Sequence, residues 1–171
     1  MVGFCALSSV LTAHSLADPK QVEIACTHDA GHLIYFRRAG IQIENLQFHG
    51  PTVFYNREFQ EFVDFLVCVE PPLDSPVPID AFAKGAAAGG VFTAILCGET
   101  HGGDAEDLPV FTSVANRWLH RNLHLWGLVN IESLWREAQQ AVETDLRDAD
   151  ATFHSEIAAA IAEIKARCLS K

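Results

Sequence analysis

The cysteines of this chain never come close to one another: Cys5, Cys26, Cys68, Cys97 and Cys168 are scattered and no C-x-x-C pair occurs. An odd number without a compact framework excludes a disulfide scaffold and points to reduced, mostly buried thiols in a cytosol-like (cytoplasmic) compartment. Basic residues are also scarce, 12 against 22 acidic ones, for a formal net charge of −10. Phosphate binding needs clustered Lys and Arg, and the only tight pair is Arg37-Arg38, so a nucleic-acid partner is excluded. No run approaches the ~18 apolar residues expected of a membrane span. Val2 to Leu16 is fairly apolar and Ser15-Leu16-Ala17 could pass for a signal-peptidase site. It lacks a basic n-region, however, and Ser8, Ser9, Thr12 and His14 interrupt it, so it reads as a helix of the domain. There is no internal repeat, no P-loop, no dinucleotide fingerprint and no informatively spaced Ser/His/Asp or Cys/His set.

What remains is ordinary globular material, 49% apolar and 20% charged over 171 residues, enough for one domain with a substantial core. Asp18-Pro19 opens a helix running from about Lys20 to Ala39, which Gly40 stops. Ile41 to Phe48 alternates as a half-buried strand, and Phe62 to Val69 is a second strand, with a turn or short strand at Gly50 to Gln60 between them. Pro71 to Pro78 forms an extended connection. Ile79 to Cys97, rich in Ala and Gly, reads as a central helix that neighbours approach closely. A Gly-rich acidic loop, Gly98 to Glu106, leads into a helix from Asp107 to about Trp126, with Pro109 in its first turn and Gly127 ending it. Ile131, Leu134/Trp135, Ala138, Val142 and Leu146 mark the next amphipathic helix; Phe153, Ile157, Ile161, Ile164 and Cys168 mark the last. The expected class is α+β, mainly helical, as a single domain over 1–171 with a small β-sheet inserted after the second helix.

The chemistry concentrates in His28-Asp29-Ala30-Gly31-His32. Two histidines at i and i+4 share a helix face and can hold one zinc ion. Taken alone, the spacing fits two ordinary helix histidines better. The position after the first His faces the metal's open side, where a carboxylate can take a proton from water; here it is Asp29. Gly31 costs about 1 kcal/mol relative to Ala inside a helix, so it answers a close packing need. His120 and His124 repeat the spacing without an acidic partner and read as packed or surface histidines. His101, in the Gly-rich loop, is either a contact for substrate or oxyanion or merely solvated, and His49 is equally open. Cys26 reads as buried rather than ligating.

The run from Glu23 through His28-Asp-Ala-Gly-His32 to Gly40 resembles the active helix of the FtsH family of ATP-dependent zinc proteases, which carries H-E-A-G-H-A, an apolar run, a Gly and a strand. Further on, Ala86 to Gly98 resembles that family's small-residue helix. Gly103-Asp104-Ala105-Glu106-Asp107-Leu108 resembles its T-G-A-x-x-D-L-like motif, so the likeness spans roughly Gln21 to Trp118. It implies a zincin-like peptidase domain binding Zn2+ through His28, His32 and Asp107, with Asp29 as general base and a peptide or protein as substrate. Asp104 and Glu106 compete with Asp107 as third ligand, and Asp107 also fits a helix N-cap.

Two departures shape the expectation. The chain has no ATPase module, which leaves an oligomer or a separate ATPase partner open. Asp29 stands where the family has Glu, one methylene shorter, so the alternative is a catalytically impaired metal-binding or protein-interaction domain. The helices carrying the ligands are expected to pack near one another, with Ile41–Phe48 a strand beside the site; zincin substrates often lie along an edge strand, and which strand is at the edge stays open.

Overall fold

The computed structural model describes residues 19–41, 43–48, 65–69, 79–99, 104–125 and 127–169. In chain order these form α1 (Pro19–Arg38), β1 (Ile43–Phe48), β2 (Phe65–Val69), α2 (Ile79–Phe92), α3 (Asp104–Arg121), α4 (Ile131–Arg147) and α5 (Ala151–Leu169). The segments expected as an N-terminal helix, as the turn at 50–60 and as the Pro-rich connection lie outside the described residues.

The helix ends follow from local chemistry. Gly40 takes a left-handed φ of +70°. Its N–H donates to the Arg37 carbonyl at 3.0 Å, and the Ile41 N–H donates to the Phe36 carbonyl at 2.9 Å. This pair of bonds is a Schellman cap, for which glycine is the favoured residue. Asn130 caps α4, its side chain accepting from the Ser133 N–H at 2.9 Å. Asp150 does the same for the Phe153 N–H at 2.8 Å at the start of α5. Each such cap contributes about 1 kcal/mol.

Helix α1 is buried continuously from Ile24 to Phe36, which makes it the central element. It packs against α2 on one side and α5 on another, and α2 in turn carries α3 and α4. Two clusters make the core. One joins Leu33 and Ile34 of α1 to Phe92, Val142, Leu146, Phe153, Ile157 and Ile164. The other joins Phe36 to Phe82, Phe111, Val114 and Ala138, with Trp135 packed on it. Burying each such large side chain contributes about 1.5–3 kcal/mol. Around the rim, Arg37 holds Glu163 in a two-pronged pair at 2.8 Å, and Arg38–Glu156 and Lys165–Glu23 also tie α5 to α1.

Close approach between α1 and α2 depends on missing side chains. A Cβ on Gly31 would stand 2.6 Å from the Ala88 carbonyl oxygen, and one on Gly85 2.2 Å from the Phe36 ring. The packing need expected of Gly31 is therefore met by the α2 backbone. Beyond Phe92 the helix widens into a π-turn, Thr93–Cys97. The Thr93 hydroxyl donates to the Gly90 carbonyl at 3.0 Å, a local bond that competes with the regular helical ladder. Together Ile79–Cys97 is long and apolar enough, by length and composition, to cross a membrane, contrary to the reading of the sequence. Over half of it, 56%, is buried inside the domain, as a core helix is.

The α+β expectation, with a zincin-like domain built on a small sheet, is corrected. The described residues form a helical domain. Their extended pieces, β1 and β2, pair only with each other in one antiparallel ladder that slips register between Ile43 and Asn45. A two-stranded ribbon is marginal on its own in water; this one runs along α1 and α5. The alternation over Ile41–Phe48 falls on β1, which begins at Ile43, and β2 covers the described part of the Phe62–Val69 segment, but alternation says nothing about how many partners a strand finds. Two boundaries also move. Helix α3 starts at Asp104, three residues before Asp107, and stops at Arg121, followed by a 3-10 turn at Leu123–Leu125. Asp107 is thus inside the helix rather than its N-cap. The α1 and α3 helices do not lie broadly against each other, since α3 rests on α2. Asp107 nonetheless reaches the α1 histidines.

Candidate metal centre

A helix buried over thirteen consecutive residues should be apolar, yet α1 buries Thr27, His28, Asp29 and His32. Burying polar and ionisable groups is costly unless they are hydrogen-bonded, paired or metal-bound. His28 and Asp29 are each 3% exposed and His32 8%. One helical turn places the two imidazoles on the same side of α1 with ring centres 4.6 Å apart, edge to face.

The ring of His32 is fixed from two directions. Its Nδ1 lies 2.8 Å from the Gly85 carbonyl oxygen of α2, and a carbonyl only accepts, so Nδ1–H donates. In the neutral ring, Nε2 then carries the lone pair. On its other side the ring stacks on Phe36, 6.1 Å away and nearly parallel. That Nε2 points at His28 Nε2, 3.0 Å away. Asp107 closes the group from α3, with Oδ1 3.5 Å from His32 Nε2 and Oδ2 3.6 Å from His28 Nε2.

These three separations can be set against a metal's geometry. Ligand atoms about 2.0–2.1 Å from a tetrahedral zinc ion stand about 3.3 Å apart. The two imidazole nitrogens stand 3.0 Å apart, and each lies 3.5 or 3.6 Å from a different oxygen of Asp107, close to that value. Two imidazoles and a carboxylate are a donor set suited to zinc, and neutral imidazole with Nδ1–H bonded to a backbone carbonyl is the usual arrangement of a metal-bound histidine. The residues present therefore fit the ion that the sequence implies. Asp29 is the other carboxylate at hand: His28, Asp29 and His32 each bring one ligand atom within 4.8 Å of the others.

The remaining sequence candidates are placed as follows. His120 and His124 are exposed, at the end of α3 and in the 3-10 turn. Cys26 is packed in the first core cluster. The side chains of Asp104 and Glu106, and the whole of His49 and His101, lie outside the described residues.

Sequence reasoning missed two contributors. The carbonyl of Gly85 that holds His32 is a backbone group and leaves no mark in a motif. Gly89 lies so close to the imidazoles that a Cβ there would stand 2.4 Å from His32 Nε2 and 2.6 Å from His28 Cε1. Its only sequence signal was the small-residue character of α2. Comparison with protein families, with curated proteins and with solved structures finds no match to this chain.

Proposed function

We propose that this chain is a zinc-dependent hydrolase of the metallopeptidase type, with His28, His32 and Asp107 holding the ion and Asp29 serving as general base. The observation that carries the reading is the convergence of two imidazole nitrogens and one carboxylate on a buried point, at the spacing of a zinc coordination shell. Zinc held there supplies Lewis acidity, polarising a carbonyl and bringing the ionisation of water toward neutral pH. The residues do the rest. Gly85 keeps His32 in the tautomer that presents Nε2, and Asp107 brings negative charge to the same point. Three protein donors leave a fourth position for water or substrate. Asp29, next to His28 and buried beside it, stands ready to accept the proton of an attacking water.

The choice of a peptide bond as substrate rests on the resemblance of the His28–His32 and Gly103–Leu108 segments to FtsH-family motifs. One feature favours a second reading, a zinc site without turnover: Asp29 is a methylene shorter than the Glu of that family. Purified protein, stripped with a chelator and reloaded with zinc, should contain one zinc per chain and cleave casein, and stripping should abolish both. Stoichiometric zinc without cleavage would favour the second reading, and no zinc at all would defeat both.

A further inference from the structure

Metal centres are usually described by their ligands, but here the surface against which the ligands rest is bare backbone. The two histidines of α1 face a stretch of α2 in which glycine recurs one turn apart, Gly85 and Gly89. Gly85 supplies the carbonyl that takes the Nδ1–H of His32 at 2.8 Å. Gly89 supplies the space into which the metal-facing edges of both rings fit: a methyl there would overlap His32 Nε2 at 2.4 Å and His32 Cε1 at 2.7 Å. Real Cβ atoms essentially never stand under 3.0 Å from a heavy atom, so one side must give. If His32 moves, it leaves the carbonyl of Gly85, the carboxylate of Asp107, or both.

Resting on the metal-site reading above, we infer that the Gly85–Gly89 face of α2 is the template that sets both the tautomer and the position of His32. This makes Gly85 and Gly89 positioning residues for the metal. The role is separable from mere helix packing, because the same interface contains a control. Gly31 is equally crowded, at 2.6 Å, but by the Ala88 carbonyl and the Phe92 ring rather than by a ligand atom. A methyl at either position strains the α1–α2 contact, and only the one at Gly89 stands against the nitrogen that would hold the metal.

The test compares Gly89→Ala with Gly31→Ala in the full chain, by zinc affinity from chelator competition and by thermal melting of the metal-free protein. Both variants should melt earlier. Gly89→Ala should also lose at least about tenfold in zinc affinity relative to Gly31→Ala at a temperature where both are folded, in the range seen when an outer partner of a ligand is removed. Equal losses of affinity in the two would reduce Gly89 to a packing residue and overturn its part of the inference.

Should Gly89→Ala not fold, nitrogen-15 NMR of the wild-type histidines decides instead, and it needs no metal. His32 should show a protonated, slowly exchanging Nδ1 in metal-free protein, and that Nδ1 should stay protonated when zinc is added. A His32 with an unprotonated Nδ1 in either state would overturn the template. Failure of the metal-site reading looks different: wild type would take up no more zinc than His28→Ala, whatever the tautomer of His32.

Discussion

His32 Nε2 and Asp107 Oδ1 stand 3.5 Å apart, although they belong to helices that do not lie broadly against each other. The contact is made possible by α2, which carries α1 on one side and α3 on another and so brings an α3 side chain over the α1 histidines. An Nε2 lone pair and a carboxylate oxygen at that distance repel unless a proton or a metal cation lies between them. His28 Nε2 lies 3.6 Å from the other oxygen of Asp107 and 3.0 Å from His32 Nε2, so in the absence of a metal a proton on His28 Nε2 bridges the two imidazoles. The group is therefore one that either a proton or a metal cation can bridge, at the point where side chains of α1 and α3 meet over α2.

Asp107→Ala should therefore cost more in zinc affinity than loss of an outer-shell partner, which is about 10–100-fold. The variant should remain folded, since Asp107 is only partly buried and contributes no apolar packing. Metal analysis after gel filtration, paired with circular dichroism, checks both halves. Retention of stoichiometric zinc by a folded Asp107→Ala protein would transfer the role of third ligand to Asp29.

The parts of this site that are side chains in a local pattern were legible in the sequence, and those that are backbone or topology were not. His28 and His32 could be seen to share a face because a helix converts i, i+4 spacing into one, although the spacing alone fitted ordinary helix histidines better and the resemblance singled them out. Asp107 was reachable only through a resemblance, because nothing local says which carboxylate a fold will carry across to α1. Gly85 and Gly89 were visible as small residues but not as a histidine's partner and neighbour, since that depends on the crossing of α1 over α2. The helix ends behaved in the same way. Gly40 could be read because its effect is local, whereas the early start of α3 at Asp104 put Pro109 deeper into the helix than its usual first-turn place. The ribbon β1–β2 shows the limit most plainly, since alternation defines a strand and not the sheet around it.

The cap at Gly40 gives a stability prediction independent of any metal. An L side chain in the left-handed region costs about 1–2 kcal/mol, and Gly40 sits at φ +70° with nothing within 4 Å of where a Cβ would be. Gly40→Ala should lower unfolding free energy by about that amount through backbone strain alone, read from urea denaturation. Zinc affinity should be unchanged, because the cap lies about two helical turns beyond His32.

Tyr35 gives the pH dependence. Burial in the first core cluster, together with the hydrogen bond its hydroxyl donates to Asp145 Oδ2 at 2.8 Å and the charge of that carboxylate, pushes its phenol well above the ordinary value. The folded state thus favours the protonated form. That contribution is complete below the unfolded tyrosine's value of about 10 and is lost as pH climbs above it. Tyr35→Phe should cost about 1 kcal/mol at neutral pH, and the gap between wild type and variant should close in alkali. Denaturation curves from pH 7 to 11 would show it; a gap that widens above pH 10 would contradict the assignment.

Asp29 decides whether the centre turns over. It is 3% exposed and follows His28 directly on α1, with a carboxylate oxygen within 4.8 Å of ligand atoms of both histidines. To act as a base, Asp29 would have to reach the attacking water, directly or through a second water. Asp29→Asn keeps the size and most hydrogen bonding of the side chain but removes the base. Turnover of a peptide substrate should fall by roughly 10²–10⁴, the usual worth of general-base catalysis, while zinc content stays the same. Asp29→Glu restores the longer reach and should raise turnover or leave it unchanged. Suppose wild type cleaves no peptide library and Asp29→Glu does: the metal centre is then sound and the shorter side chain has silenced it. If wild type and Asp29→Glu both bind zinc and neither cleaves, hydrolysis is not what this centre does, and its zinc holds three helices together.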